Sequence, residues 1–172
     1  MKAIVVYESH WGNTASVARA IAAGIGAEAE ALSTAEATAE VVANAELVVA
    51  GAPLMALRLP TDRMVDGIVA KPDEPPVDLG VPTMRTWLAG LPSGRGACAA
   101  FETRLRWSPG GATGAIEHGL GAAGYRRISS GRKFIVEGRT GPLRDGELEK
   151  ARAWGVELGA TVRDRAEVGV PA

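Results

Sequence analysis

The chain has one cysteine, Cys98, so it can form no internal disulfide and no cysteine-based metal cluster. Its two histidines, His10 and His118, lie far apart and offer no metal-ligand spacing. It also lacks an excess of either charge: the formal net charge is −1 and the sequence pI is about 6.2. That balance points to neither nucleic acid nor a membrane surface as a partner. No apolar run reaches the roughly 18–20 residues that a bilayer span needs. The longest, Leu47 to Leu57, stops at Arg58. The opening stretch, Met1 to Tyr7, is too short for a signal peptide and runs into a strand pattern, so the expected location is cytoplasmic. Aromatic residues make up only 5% of the chain, so the core must rest on the Ala, Val, Ile and Leu within an apolar fraction of 47%. A length of 172 residues suits one domain.

Five strand-like runs alternate with helical patterns. They are Lys2–Tyr7, Glu28–Leu32, Glu46–Gly51, Gly96–Phe101 and an uninterrupted Arg127–Glu137. The first, third and fourth are nearly continuous in apolar character, as parallel strands buried on both faces are. The second alternates Glu and Ala, both poor strand formers. One helical face comprises Val17, Ala18, Ile21, Ala22 and Ile25, with Gly24 and Gly26 marking the exit. A short helix is expected within 35–44. Thr61 can cap another, which carries Met64, Val65 and Ile68 and ends before Pro72. A further short helix is expected near 83–90. Ile116, Leu120 and Ala123 make another face. The last face holds Leu148, Ala151, Trp154, Gly155, Leu158 and Val162, and Asp145, Glu147 and Glu149 favour its N-terminus through the helix dipole. The charged, proline-rich stretch 71–76 reads as part of a surface excursion near 71–82. The domain is expected over 1–165, with 166–172 a loose tail. Alternation of this kind implies a parallel sheet with helices on both faces. Ligands of such sheets bind outside the C-terminal ends of the strands.

The loop after the first run therefore matters most. Ser9-His10-Trp11-Gly12-Asn13-Thr14 places polar residues and a glycine between a buried strand and a helix N-terminus. Free amides and the positive dipole end there face any bound anion. Ser9, Asn13 and Thr14 can add side-chain hydrogen bonds. Gly12 lets the backbone approach closely or turn sharply. The loop has no Lys or Arg, and neither a Walker-type nor a Rossmann glycine pattern is present. The same turn could instead be a plain helix N-cap.

This loop resembles the flavodoxin phosphate loop, Thr/Ser-x-Thr/Ser-Gly-Asn-Thr. Ser9, Gly12, Asn13 and Thr14 match, while Trp11 replaces a hydroxyl residue. The resemblance implies an α/β fold: a three-layer α/β/α sandwich over a five-stranded parallel sheet of order 2-1-3-4-5. It also implies FMN as cofactor. The flavin ring would lie between the loops after the third and fourth strands. The first of these, with Pro53, Leu54 and Met55, brings no aromatic residue, so Leu54 or Met55 would pack there. The other holds Phe101, Glu102, Thr103 and Arg104, with Thr103 and Glu102 the candidates for the pyrimidine edge. Trp107 or Trp11 could supply aromatic surface, and Trp87 and Trp154 read as core. Arg85, Arg95, Arg104 and Arg106 read individually as solvated surface arginines. The His10 side chain is expected to be idle and His118 to lie at the surface. Residues 101–104 and 134–143 resemble a flavodoxin-domain subgroup more than the small carriers.

No nucleophile–base–acid set is recognisable, so no catalytic side chain is assigned. Flavin redox chemistry needs none, since the cofactor performs it. The leading expectation is an FMN-binding electron-transport protein working between redox partner proteins, a reductase and an acceptor. An FMN-dependent NAD(P)H oxidoreductase of quinone-like acceptors is the second reading. It is favoured by a charge less acidic than carrier flavodoxins show. A flavin-free interaction module with the same fold is the third. Monomer and homodimer both remain open.

Overall fold

The computed structural model describes residues 1–168. β1 (Ala3–Tyr7), β3 (Leu47–Pro53) and β4 (Ala97–Leu105) form the centre of a parallel sheet, with β2 (Ala29–Ser33) at one edge. The order is β2-β1-β3-β4-β5, where β5 is Arg126–Arg127; β6 (Arg132–Val136) pairs farther along the same β4. Every ladder between these strands is parallel. The architecture is the expected flavodoxin-like one.

Two strand expectations need correction. The fifth run is not continuous: Cys98 pairs with Arg127 and Phe101 with Arg132, so Ala99 and Ala100 face the longer stretch Ile128–Gly131. Ser129, Ser130 and Gly131 are poor strand formers, and the excess chain bulges out of the ladder. Second, Phe101–Arg104 is strand rather than loop. β3 pairs with β4 as far as Thr103, and β6 pairs with it as far as Leu105, so ladder bonds on both sides extend it.

Side chains alternate across the central strands. Ile4, Val6, Val48 and Ala100 face one core, and Ala3, Val5, Val49 and Phe101 face the other. The second core is covered by α1 (Asn13–Ile25) and α6 (Glu147–Val168). The first receives Val42 of α2 (Ala39–Ala43), Met84 and Trp87 of α4 (Met84–Ala89), and Ile116 and Leu120 of α5 (Thr113–Ala122). The short α3 (Asp62–Asp66) starts at Thr61, whose hydroxyl accepts the Met64 N–H, as its sequence suggests. α2 begins later than expected because the Glu36 carboxylate accepts both the N–H and the hydroxyl of Ser33, holding a turn there.

Gly24 lies inside α1 rather than at its exit, and Gly26 follows the last turn. A Cβ at Gly24 would overlap the Arg152 carbonyl, and one at Gly155 the Ile21 carbonyl. These glycines let α1 and α6 touch backbone to backbone. Trp87 and Trp154 are buried as expected, whereas Leu148 is exposed because α6 turns it away from α1 and the sheet. Glu147, by contrast, is fully buried; its carboxylate accepts bonds from Arg144, Lys150 and the Ile135 N–H, tying the start of α6 to β6. The backbone of α6 is helical through Val168, into the expected tail, and residues 169–172 of that tail lie outside the described residues. No described helix is long and apolar enough to cross a membrane.

Candidate functional site

The C-terminal ends of β1, β3, β4 and β6 surround a cavity of about 360 Å³. Of the residues singled out in sequence, Ser9, His10, Trp11, Asn13, Thr14, Pro53, Leu54, Met55, Thr103 and Arg104 line it together. Gly12, Phe101 and Glu102 do not.

The loop after β1 is built to leave donors free. α1 begins at Asn13, and its N-cap is Gly12, at φ 86°, with no side-chain cap. A left-handed backbone at this position suits glycine. Among the described residues, no protein acceptor meets the backbone amides of Ser9 to Ala15. The plain N-cap reading would have filled one or more of them. Ser9 is 8% exposed, and its hydroxyl is buried without a partner. The other polar side chains hold the loop in place. Asn13 Nδ2 donates to the Thr140 carbonyl at 2.8 Å, and the hydroxyls of Thr14 and Thr103 meet at 2.8 Å.

His10 is not idle. It is 3% exposed, with Nε2 2.9 Å from Glu8 Oε1 and Nδ1 2.9 Å from the Asp78 carbonyl. Glu8 is fully buried, and its other oxygen accepts the Met84 N–H at 2.7 Å. Burial alone would push the imidazole pKa down, but the bonds to Glu8 and Asp78 outweigh it and the value is raised. Asp78 also donates its N–H to the His10 carbonyl at 2.8 Å, so the surface excursion is pinned to this loop from both sides.

At the end of β4 the polar residues serve the protein itself. Glu102 is fully buried; its Oε2 accepts the amides of Ala112 (2.5 Å) and Thr113 (3.1 Å) and so caps α5. Its Oε1 accepts from Arg104 at 2.7 Å. Glu102 therefore points away from the cavity, and Arg104 is buried rather than solvated, bonded also to the Gly110 carbonyl. Phe101 lies beneath, its ring against Gly51. Arg85, Arg95 and Arg106 are exposed, as is His118. Cys98 is buried on its strand, which pushes its thiol up to about 11 and leaves it unreactive.

Beyond β3, Met55 and Arg58 exchange backbone hydrogen bonds around Ala56 and Leu57, which have φ of 41° and 71°. Two consecutive non-glycine residues in this region store strain at the cavity rim. The turn is tied to the segment after β4, where Gly111 N–H donates to the Leu57 carbonyl. Aromatic surface comes from Trp11, which lines the cavity with the Arg139 guanidinium 5.2 Å from its ring. Trp107 is 82% exposed and lies outside the cavity, flanked by Arg106.

Met64, Ile68, Val136 and Arg139 also line the cavity but were not identified from sequence. Arg139 reaches across to Glu74 and to the Val69 carbonyl, holding a second point of the excursion. A signal existed for this segment: Gly138 to Gly141 ends the last strand on the ligand-binding side of the sheet.

A parallel sheet of this order, opening on an uncapped helix after its first strand, is a flavodoxin-like fold. Solved structures carry the likeness over nearly the whole chain. A flavodoxin from the domain Archaea is 23% identical with a TM-score of 0.64, the match covering 95% of this chain and 99% of that one. Oxidised Flavodoxin 2 from Bacillus cereus is 15% identical with a TM-score of 0.63, covering 96% and 99%. The flavodiiron protein from Giardia intestinalis is 18% identical with a TM-score of 0.61; 99% of this chain matches 38% of that one. No family model and no curated protein matches the sequence.

Proposed function

We propose that the protein binds FMN and passes electrons between a reductase and an acceptor protein. The carrying observation is the open N-terminus of α1: a run of unpaired amides from Ser9 to Ala15, with the unpartnered Ser9 hydroxyl, at the mouth of the first βα unit. Such a donor set fits a phosphate monoester. The rest of the cavity fits a flat, mainly apolar ring, since Trp11, Leu54, Met55, Met64 and Ile68 line it.

In this reading the Ser9–Thr14 loop holds the phosphate. Leu54, Met55 and Trp11 supply apolar walls that exclude water, and the Thr103–Arg104 backbone borders the ring edge. FMN would supply the electron chemistry, while the protein orients it and sets its surroundings. Arg104 and Arg139 also line the cavity, each paired with a carboxylate, Glu102 and Glu74. A cytoplasmic location and protein redox partners belong to this reading.

The test is a titration of purified protein with FMN, followed by flavin fluorescence and the visible spectrum. Saturable binding at micromolar FMN or below is expected; its absence rejects the proposal. Binding of inorganic phosphate without FMN would favour the flavin-free module instead. A second cavity, of about 440 Å³, borders the first at Leu105, Ser108 and Val136 and holds Arg106, Trp107 and Arg144. It favours, as a second reading, direct oxidation of NAD(P)H. Rapid flavin reduction by NADH or NADPH without an added reductase would establish that reading.

A further inference from the structure

Single apolar residues on a protein surface are ordinary, but several on adjoining segments mark a contact surface. Leu57, Leu105 and Trp107 are all exposed, and the two segments that carry them are joined. Gly111 N–H donates to the Leu57 carbonyl, Arg58 bridges to Gly111, and a Cβ at Gly110 would overlap that same carbonyl. The turn that presents Trp107 is closed by the Ser108 N–H, which donates to the Leu105 carbonyl at 3.1 Å. The Arg106 guanidinium lies 4.6 Å from the indole ring. Together these segments form one bank of the cavity mouth, since Met55, Ala56, Leu105 and Ser108 line the cavity.

The charge of this bank is of one sign. Arg58 and Arg106 are exposed, and neither forms an ion pair among the described residues. Segments 47–61 and 103–116 contain no Asp or Glu except Glu117's predecessor stretch, which ends before that residue. Glu137 is the one carboxylate lining the adjoining second cavity. The excursion carries exposed acids of its own, Asp73 and Asp78, on a separate segment. A second copy of the chain suits the bank poorly. A two-fold contact would crowd both pairs of arginines into one interface, with no acid on either segment to offset them.

We propose that this bank is where an acidic redox partner protein docks, with Leu57 and Trp107 burying apolar surface while Arg58 and Arg106 meet its carboxylates. The inference rests on the reading of the protein as an electron carrier. Tryptophan and arginine are the residues that most often dominate binding at such contacts. Opposite charge around them speeds encounter and selects the partner. A partner seated there lies against the mouth of the cavity assigned to the cofactor.

The probes are a strongly acidic ferredoxin and a strongly basic c-type cytochrome. Each is titrated into the isotope-labelled full chain, with and without FMN, and nuclear magnetic resonance follows the Trp107 indole and the amides of 105–109. These signals are expected to respond to the ferredoxin at low ionic strength and to fade at high salt. Arg106→Glu and Trp107→Ala should each weaken that binding about tenfold. Arg126→Glu, the same change of charge at the opposite end of the sheet, should leave the affinity as it was. Tighter binding of the cytochrome overturns the inference. So do equal effects of Arg126→Glu and Arg106→Glu, which would make net charge the cause. Self-association or NADPH binding that moves the Trp107 signals while the ferredoxin does not would assign the bank to another occupant and overturn it too. If FMN binds and the ferredoxin does not, this inference alone fails. If FMN never binds, the carrier reading fails, and the redox role of the bank with it.

Discussion

Two helices start at the C-terminal ends of central strands and are treated in opposite ways. α5 receives a buried carboxylate, Glu102, on its first amides. α1 receives no side-chain cap and leaves the amides of Ser9 to Ala15 unpaired. Both segments are polar in sequence, and both follow buried strands. One is closed by the protein; the other is open to a ligand. Polarity alone does not locate a site; what matters is whether the donors already have partners.

The comparison can be broken most severely at the closed end. Glu102→Ala leaves Arg104 without its carboxylate and α5 without its cap. The expected cost is about 3 kcal/mol of stability in urea unfolding. A loss near zero would mean that α5 needs no cap. At the open end, Ser9→Asp would place a carboxylate among the free amides. FMN affinity should fall by about 100-fold with the melting temperature little changed, since a protein anion then occupies the dipole end that a ligand would use. Unaltered affinity would show that the amides are not where phosphate binds.

The rim offers a sharper, smaller contrast. The loop after β1 takes its left-handed residue as Gly12, whereas the turn after β3 uses Ala56 and Leu57. Leu57 is half exposed, so Leu57→Gly removes strain and little packing. It should stabilise the fold by about 1 kcal/mol in the same unfolding experiment. Destabilisation would mean that the leucine side chain matters more than the backbone it imposes.

The smallest effect is that of pH. His10 has its pKa raised on folding, so its contribution is present in full below the unfolded value and is lost as pH rises through the folded one. The urea midpoint should therefore decline from near-neutral to alkaline pH, and His10→Gln should flatten that decline. A midpoint that rises over the same interval would contradict the raised pKa of His10.

Much of this was legible in the sequence. The continuous apolar runs gave the central strands, their alternation with helices gave the layers, and Ser9, Gly12, Asn13 and Thr14 gave the open loop. What stayed hidden depends on partners distant along the chain. Local pattern cannot reveal that His10 meets Asp78, that Asn13 meets Thr140, or that Arg139 crosses to Glu74. Glu102 and Arg104 look available because charges two residues apart do not disclose that they bind each other, or that Glu102 binds the start of α5. The broken edge strand was missed for a different reason. Its two Ser residues and Gly131 sit within one strand-like run, and only ladder register decides whether such residues pair or bulge.

The most direct measurement compares FMN with riboflavin, which differs from it by the phosphate alone, in fluorescence titrations of the same protein. If the unpaired amides of Ser9 to Ala15 hold a phosphate, FMN binds at micromolar concentration or tighter and riboflavin at least about 100-fold more weakly. Equal affinity for the two, or none for either, would contradict it.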